Sequence, residues 1–327
     1  MENHLGKIRY IRKLGSSTPI LVPSFSSKGF PHVKGLHDYL KQHLTDASLV
    51  STYDLHYRYL LSDHIYESDI LFVDSGGYER IREHDVSDIY GDLHFPSEWN
   101  ENLYEQEVSK LKPITDIVLV NFDYWESSPL DVQINRAKGH FEKYPEFASD
   151  FLCKPISNED VLINVEDVIK KIKLFAPFDV LGFTEKELGH SVFERALNIF
   201  RIRKALSDAG LDTPIHVFGC LDPLSVTLFF LCGADIFDGL SWLRFSFKNG
   251  VPSYFNHYSI SNGLWQRHDS EVKVIGFSEN LSELVQLKNR LTKFSQSSNW
   301  DELGLTKNNL NQLMLILKQL EVQKSSE

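Results

Sequence analysis

Short apolar runs of strand type alternate with stretches of helical period along most of this chain. That alternation constrains the fold more than any other feature. Residues 19–25, 48–55, 70–73, 116–123, 179–184, 214–219 and 234–240 read as strands, being short, branched and aromatic-rich. Ile8, Tyr10 and Ile11 suggest an opening strand. Between these runs, 33–44, 103–111, 132–144, 192–209 and 223–231 read as helices, and Gly210 closes the fourth of them. Residues 160–165 fit either a strand or the start of a helix that includes 168–175. Strand and helix in alternation mean βαβ units and a parallel sheet. About eight strands in roughly 240 residues suit an α/β fold of the (β/α)8 TIM-barrel type. An open doubly wound sheet is the other architecture, although no GxGxxG follows the first strand to support dinucleotide binding.

The expected organisation is a barrel over 1–250 and a C-terminal helical appendage over 251–327. Residues 251–278 are aromatic and lack a clear helical period, while 281–294 and 305–320 read as two helices. Residues 79–100 are polar and rich in His, Asp and Gly, which predicts a long loop over one face.

Hydrophobic residues make up 42% of the chain, enough for a full core. The net charge of −11 argues against a protein held on nucleic acid by bulk electrostatics, but leaves room for a local basic groove. Cys153, Cys220 and Cys232 form no CxxC pair, so neither a disulfide framework nor a cysteine zinc site is suggested. The first residues lack the apolar core of a signal peptide, and no apolar run reaches membrane-spanning length. The expectation is a cytoplasmic protein with no membrane partner.

In a parallel barrel, chemistry sits at the carboxyl ends of the strands. Asp74, Asp123 and Asp238 each follow an apolar run there. Any one of them is as readily a helix cap or turn former. Grouped on one rim, carboxylates push their pKa values apart, so one stays ionised while another carries a proton. After Asp74, Gly76 and Gly77 permit a tight turn and a close approach of ligand to backbone.

The stretch Val73-Asp74-Ser75-Gly76-Gly77-Tyr78 resembles the DSGG(F/Y) motif of the tRNA-guanine transglycosylases, whose fold is a (β/α)8 barrel. Four further landmarks of that family follow in order: Asn121-Phe122-Asp123, Leu181-Gly182-Phe183, Phe218-Gly219 with Pro223, and Gly233-Ala234-Asp235-Ile236-Phe237-Asp238. Arg244 and Asn249-Gly250 match its downstream Arg and Asn-Gly. The resemblance spans roughly residues 18 to 250. The chain departs from the pattern in three ways. No Cys follows Cys232, so the family's zinc site is absent and neither metal nor cofactor is expected. Tyr124 replaces an acid, and Ser241-Trp242-Leu243-Arg244 replaces a Pro-Thr-Arg stretch. A branch of the family that inserts a 7-deazaguanine into DNA is matched at least as well as the tRNA enzymes.

The resemblance implies base exchange between a guanine in tRNA or DNA and a free 7-deazaguanine. Asp238 would attack C1′ and form a covalent glycosyl-enzyme, and Asp74 would exchange a proton with the departing and incoming bases. Asp123 would read the purine edge. Ser75, Gly76, Gly77, Tyr78, Gly182 and Gly219 would surround the base, and Arg244 and Lys248 would meet phosphates. A homodimer or a partner subunit remains open, as the family dimerises partly through its zinc region. Two other readings stand beside this one. One is a non-catalytic paralogue that binds nucleic acid or a partner. The other is a metal-dependent barrel hydrolase starting from Asp54 and His56. His216, within a strand, reads as a satisfied core histidine.

Overall fold

The computed structural model describes residues 6–30, 32–81, 95–124 and 126–324. Most of the polar stretch 79–100, namely 82–94, lies outside the described residues.

Eight parallel strands form the sheet: β1 (Ile20–Pro23), β2 (Ala47–Ser51), β3 (Ile70–Asp74), β4 (Asp116–Val120), β5 (Ala148–Cys153), β6 (Val180–Thr184), β7 (Ile215–Phe218) and β8 (Ile236–Gly239). Each pairs with its sequence neighbour from β2 to β8, and β8 pairs with β1. A parallel bridge between Ser24 and Leu49, with Phe25 N–H donating to Leu49 O at 3.1 Å, joins β1 to β2. The sheet is therefore a nearly closed barrel, not an open doubly wound sheet. A short antiparallel pair, Tyr10–Ile11 with Ser16–Ser17, precedes it.

The helices between and after the strands are α1 (Val33–Leu40), α2 (Thr52–His56), α3 (Glu101–Val108), α4 (Leu130–Phe141), α5 (Val165–Lys170), α6 (Val192–Asp208), α7 (Pro223–Leu231) and α8 (Ser241–Arg244). The C-terminal region adds α9 (Phe255–Ser261), α10 (Asp269–Ser297) and α11 (Lys307–Lys324). Among the described residues, no helix is long and apolar enough to cross a membrane.

The period of two along each strand sorts side chains into two cores. Leu21, Val50, Leu71, Val73, Leu119, Phe151, Leu181, Val217 and Phe237 point outward into the layer shared with the helices. Ile20, Val22, Leu49, Phe72, Val118, Val120, Leu152, Val180 and Ile236 fill the barrel interior.

Two expectations are corrected, and the open reading of 160–165 is decided. The run 48–55 is not one strand: β2 stops at Ser51, whose hydroxyl accepts Asp54 N–H at 3.2 Å and caps α2. Residues 160–165 form no strand; Asn164 caps α5, and the strand of that unit is β5, twelve residues earlier. Ser149 and Asp150 hide β5 by breaking its apolar pattern. The aromatic stretch 251–278 contains α9 and the first turns of α10, a single helix of 29 residues.

Buried Asn280 ties α10 to the segment after β8. Its Nδ2 donates to Trp242 O (2.6 Å) and Phe245 O (2.7 Å), and its Oδ1 accepts Phe247 N–H (2.7 Å). The backbone groups left over where α8 ends are satisfied in this way, which holds the Arg244 segment over the barrel mouth.

Candidate active site at the carboxyl end of the barrel

Strand parity decides which polar groups enter the barrel. Asp238 shares its face with interior Ile236, His216 with Phe218, Asp150 with Ala148 and Leu152, Asp74 with Phe72, and Ser24 with Val22. Interior layers of such barrels are ordinarily branched aliphatics, so this concentration of acids marks the upper layer as a polar site.

Asp238 is 6% exposed and firmly held. Its Oδ2 accepts the Ser24 hydroxyl at 2.8 Å and its Oδ1 accepts Gly219 N–H at 3.1 Å. His216 Nε2 lies 3.3 Å from Oδ1, within ion-pair range, but is not aligned as a hydrogen bond. On the other side of the ring, Nδ1 contacts Asp150 Oδ2 at 2.6 Å. Burial alone would lower the His216 pKa, but the two flanking carboxylates outweigh it and raise it to about 9.

Asp74 ends β3. Its Oδ2 accepts Gly76 N–H at 2.9 Å, and its carbonyl accepts the Thr52 hydroxyl at 2.9 Å. Burial pushes its carboxyl up to about 6; the Gly76 N–H opposes this, and the charges of Asp238 and Asp123 add to it.

The two glycines of the turn have different jobs. Gly76 has φ +83°, and a Cβ there would stand 2.6 Å from Tyr53 Cβ. At Gly77 a Cβ would lie 2.5 Å from Asp123 Oδ2, so this glycine lets the second acid come against the turn. Ser75 is buried and wires the site together: its hydroxyl accepts Asp123 N–H (3.3 Å) and its carbonyl accepts the Trp99 indole (2.8 Å).

Asp123 sits between two cations, Arg80 Nη2 and Lys154 Nζ, each 3.6 Å away, and Lys154 also pairs with Glu187 at 2.5 Å. These residues line a cavity of about 590 Å³ that also includes Phe122, Tyr124 and Arg136, a volume suited to a small ligand. Asp74 and Asp238 are not among its lining residues.

The remaining predicted residues fall in three places. Tyr78 and Arg244 meet, with Arg244 Nη2 donating to the Tyr78 hydroxyl at 3.2 Å. Lys28 Nζ stands 4.3 Å over the Tyr78 ring and donates to its carbonyl at 3.2 Å. Gly182 and Gly219 lie beside the acids: a Cβ on Gly182 would meet Phe218 at 2.5 Å and Asp150 Oδ1 at 2.9 Å, whereas Gly219 opens into free space. Lys248 is exposed and bonds Asn262 Oδ1 beyond α9. Asp54 and His56 do not converge. Asp54 Oδ2 accepts Ser27 N–H at 2.8 Å, whereas His56 Nδ1 contacts Glu107 at 2.9 Å. Among the described residues, no group of His, Cys, Asp and Glu is arranged to hold a metal ion.

Sequence reasoning missed Ser24, Asp150 and Glu79, and undervalued His216. Glu79 and Asp54 form a second buried acid pair beside the turn. Burial lifts Asp54 to about 7 and Glu79 well above the ordinary carboxylate range; the charge of Asp74 adds to both shifts, and that of Asp54 to the shift of Glu79. His216 was detectable by parity, because it lies two residues before Phe218 and faces Ile236 in register.

No protein-family model matches the chain, and no curated protein matches it significantly.

Proposed function

We propose that this chain exchanges a guanine in nucleic acid for a 7-deazaguanine base through a glycosyl ester on Asp238. The observation that carries the reading is the pairing of two unlike carboxyls on one rim. Asp238 is oriented by Ser24 and Gly219 beside a cationic imidazole, which suits a standing nucleophile. Asp74 is raised to about 6, which suits a proton donor and acceptor.

In the first half-reaction an Asp238 oxygen bonds C1′ of the target nucleoside. The C1′–N9 bond breaks, its electron pair leaves with the guanine, and the Asp74 proton neutralises that base. In the second, ionised Asp74 takes a proton from the incoming base, whose nitrogen bonds C1′ as the ester C–O pair returns to Asp238. The two displacements parallel those of retaining glycosidases. The target base must first leave its stack. Asp123 offers acceptor oxygens to the N–H edge of the purine, with Arg80 and Lys154 balancing its charge. Arg244, anchored on Tyr78, would meet a phosphate flanking the flipped nucleotide.

The test is incorporation of labelled guanine into tRNA and into duplex DNA, with Asp238→Ala as control and mass spectrometry for the covalent adduct. Exchange into one polymer with loss in the variant supports the reading and identifies the substrate. Absence of both exchange and adduct on either polymer overturns it.

A further inference from the structure

We infer that His216, held as an imidazolium by Asp150, is a positioning residue that fixes a positive charge beside Asp238 and stabilises it as the leaving carboxylate of the glycosyl-enzyme. This rests on the base-exchange reading above.

The argument starts from the ring's surroundings. His216 is fully buried on β7 between two carboxylates, Asp150 on β5 and Asp238 on β8. Phe218 stacks on the ring at 3.8 Å between centroids, and Phe72 meets it at an angle at 5.4 Å. A neutral imidazole has one N–H and one lone pair. With its proton on Nδ1 toward Asp150, a neutral ring would leave Nε2 as a buried lone pair without a hydrogen-bond partner, 3.3 Å from the Asp238 carboxylate. With its proton on Nε2, it would set a lone pair against Asp150 at 2.6 Å. With both carboxylates ionised, the doubly protonated ring is the state that turns a proton and positive charge toward each. The direction of the His216 shift agrees with this.

Such a triad is a poor way to stabilise a barrel interior, because desolvating three charges offsets most of their attraction. Its position offers a better reason for it. Gly182 lacks a Cβ that would stand 2.9 Å from Asp150 Oδ1, so β6 makes room for the acid that holds the ring. When the incoming base expels Asp238, the C1′–O bond breaks and the electron pair returns to the carboxylate. That charge reappears 3.3 Å from a fixed cation. His216 transfers no proton in the step. Its contribution is electrostatic, and it is already in place before the bond breaks.

Two measurements on the full chain test this. The first is the ¹⁵N spectrum of the His216 ring at neutral pH, assigned by comparison with His216→Gln. Protonation of both nitrogens in the wild type, lost in Asp150→Asn, is expected; a neutral single tautomer in the wild type overturns the inference whatever the activity. The second separates the half-reactions with labelled guanine. His216→Gln and Asp150→Asn are expected to slow release of the Asp238 adduct by about 10- to 100-fold, as loss of a charge-assisted contact predicts, so that adduct accumulates. Unchanged release in both variants, with an active wild type, overturns this inference alone. A wild type that neither exchanges base nor forms adduct overturns the base-exchange reading and this inference with it.

Discussion

Asp235 and Asp238 are three residues apart at opposite ends of β8, and both are buried carboxylates next to cations. At the amino end, both oxygens of Asp235 are taken. Arg9 Nη1 lies 2.9 Å from Oδ1, while Arg203 Nη2 (2.6 Å) and Ile215 N–H (2.8 Å) reach Oδ2. Arg203 Nε also bonds Gly233 O at 2.8 Å, which locks the turn into the strand. At the carboxyl end the balance is reversed. Asp54, Asp74, Glu79, Asp123, Asp150 and Asp238 crowd the interior and rim of the barrel, and burial holds Asp54, Asp74 and Glu79 above the ordinary carboxylate range. The same ingredients therefore serve two purposes. Saturated charge fixes the barrel floor, while unbalanced charge at the mouth leaves carboxyls ready to accept or give up protons, as barrel architecture generally divides these roles.

Substitutions at the two ends of β8 break this contrast most directly. Asp238→Asn keeps the shape and removes the nucleophile, so guanine exchange is expected to fall at least about 10³-fold, or roughly 4 kcal/mol in barrier. Its thermal midpoint should barely move; a large drop in midpoint would make Asp238 a floor-type structural acid instead. Asp235→Ala should do the reverse. It strands two buried guanidiniums, and urea unfolding is expected to show a loss of about 3–5 kcal/mol, with activity per folded molecule retained.

Asp74→Asn sharpens the contrast because it affects both properties. Exchange should fall about 10²-fold or more with loss of the proton carrier. Folded Asp74 is raised above its unfolded value, so ionising it costs stability. That cost is absent below about pH 4, grows as pH rises to about 6, and is complete above it. Relative to wild type, the Asn variant should therefore gain on the order of 3 kcal/mol in chemical denaturation at pH 8 and nothing at pH 3.5. A gain that grows toward acid would contradict the direction of the shift.

Smaller effects are expected around Asp123 and Arg244. Gly77→Ala drives a methyl into the Asp123 carboxylate, and KM for the incoming base should rise several-fold at a stability cost of about 1–2 kcal/mol. Arg244→Ala should raise KM for the polymer only a few-fold, with a shallower salt dependence and unchanged release of the adduct.

Much of the barrel was legible in the chain, because strands buried on both faces leave continuous apolar runs that polar turns cut cleanly. The strand β5 was not, since Ser149 and Asp150 interrupt its run, and Asp150 is tolerated there only because His216, sixty-six residues later, receives it. The length of α10 was equally hidden. Its first turn carries exposed polar residues, and its burial begins at Val272, Gly276 and Phe277, where Phe255 of α9 packs against the last two.

By itself, the sequence determined the alternation of strand and helix, and with it the strand-end positions of Asp74, Asp123 and Asp238. Local pattern suffices for that, because period and turn chemistry act over neighbouring residues. Only the tertiary structure decided how those acids differ. Closing the barrel brought Ser24 to Asp238, Gly77 against Asp123, and the Asp150–His216 pair beside Asp238. Charge state in a buried site depends on what lies a few ångströms away in space, and no local pattern carries that information.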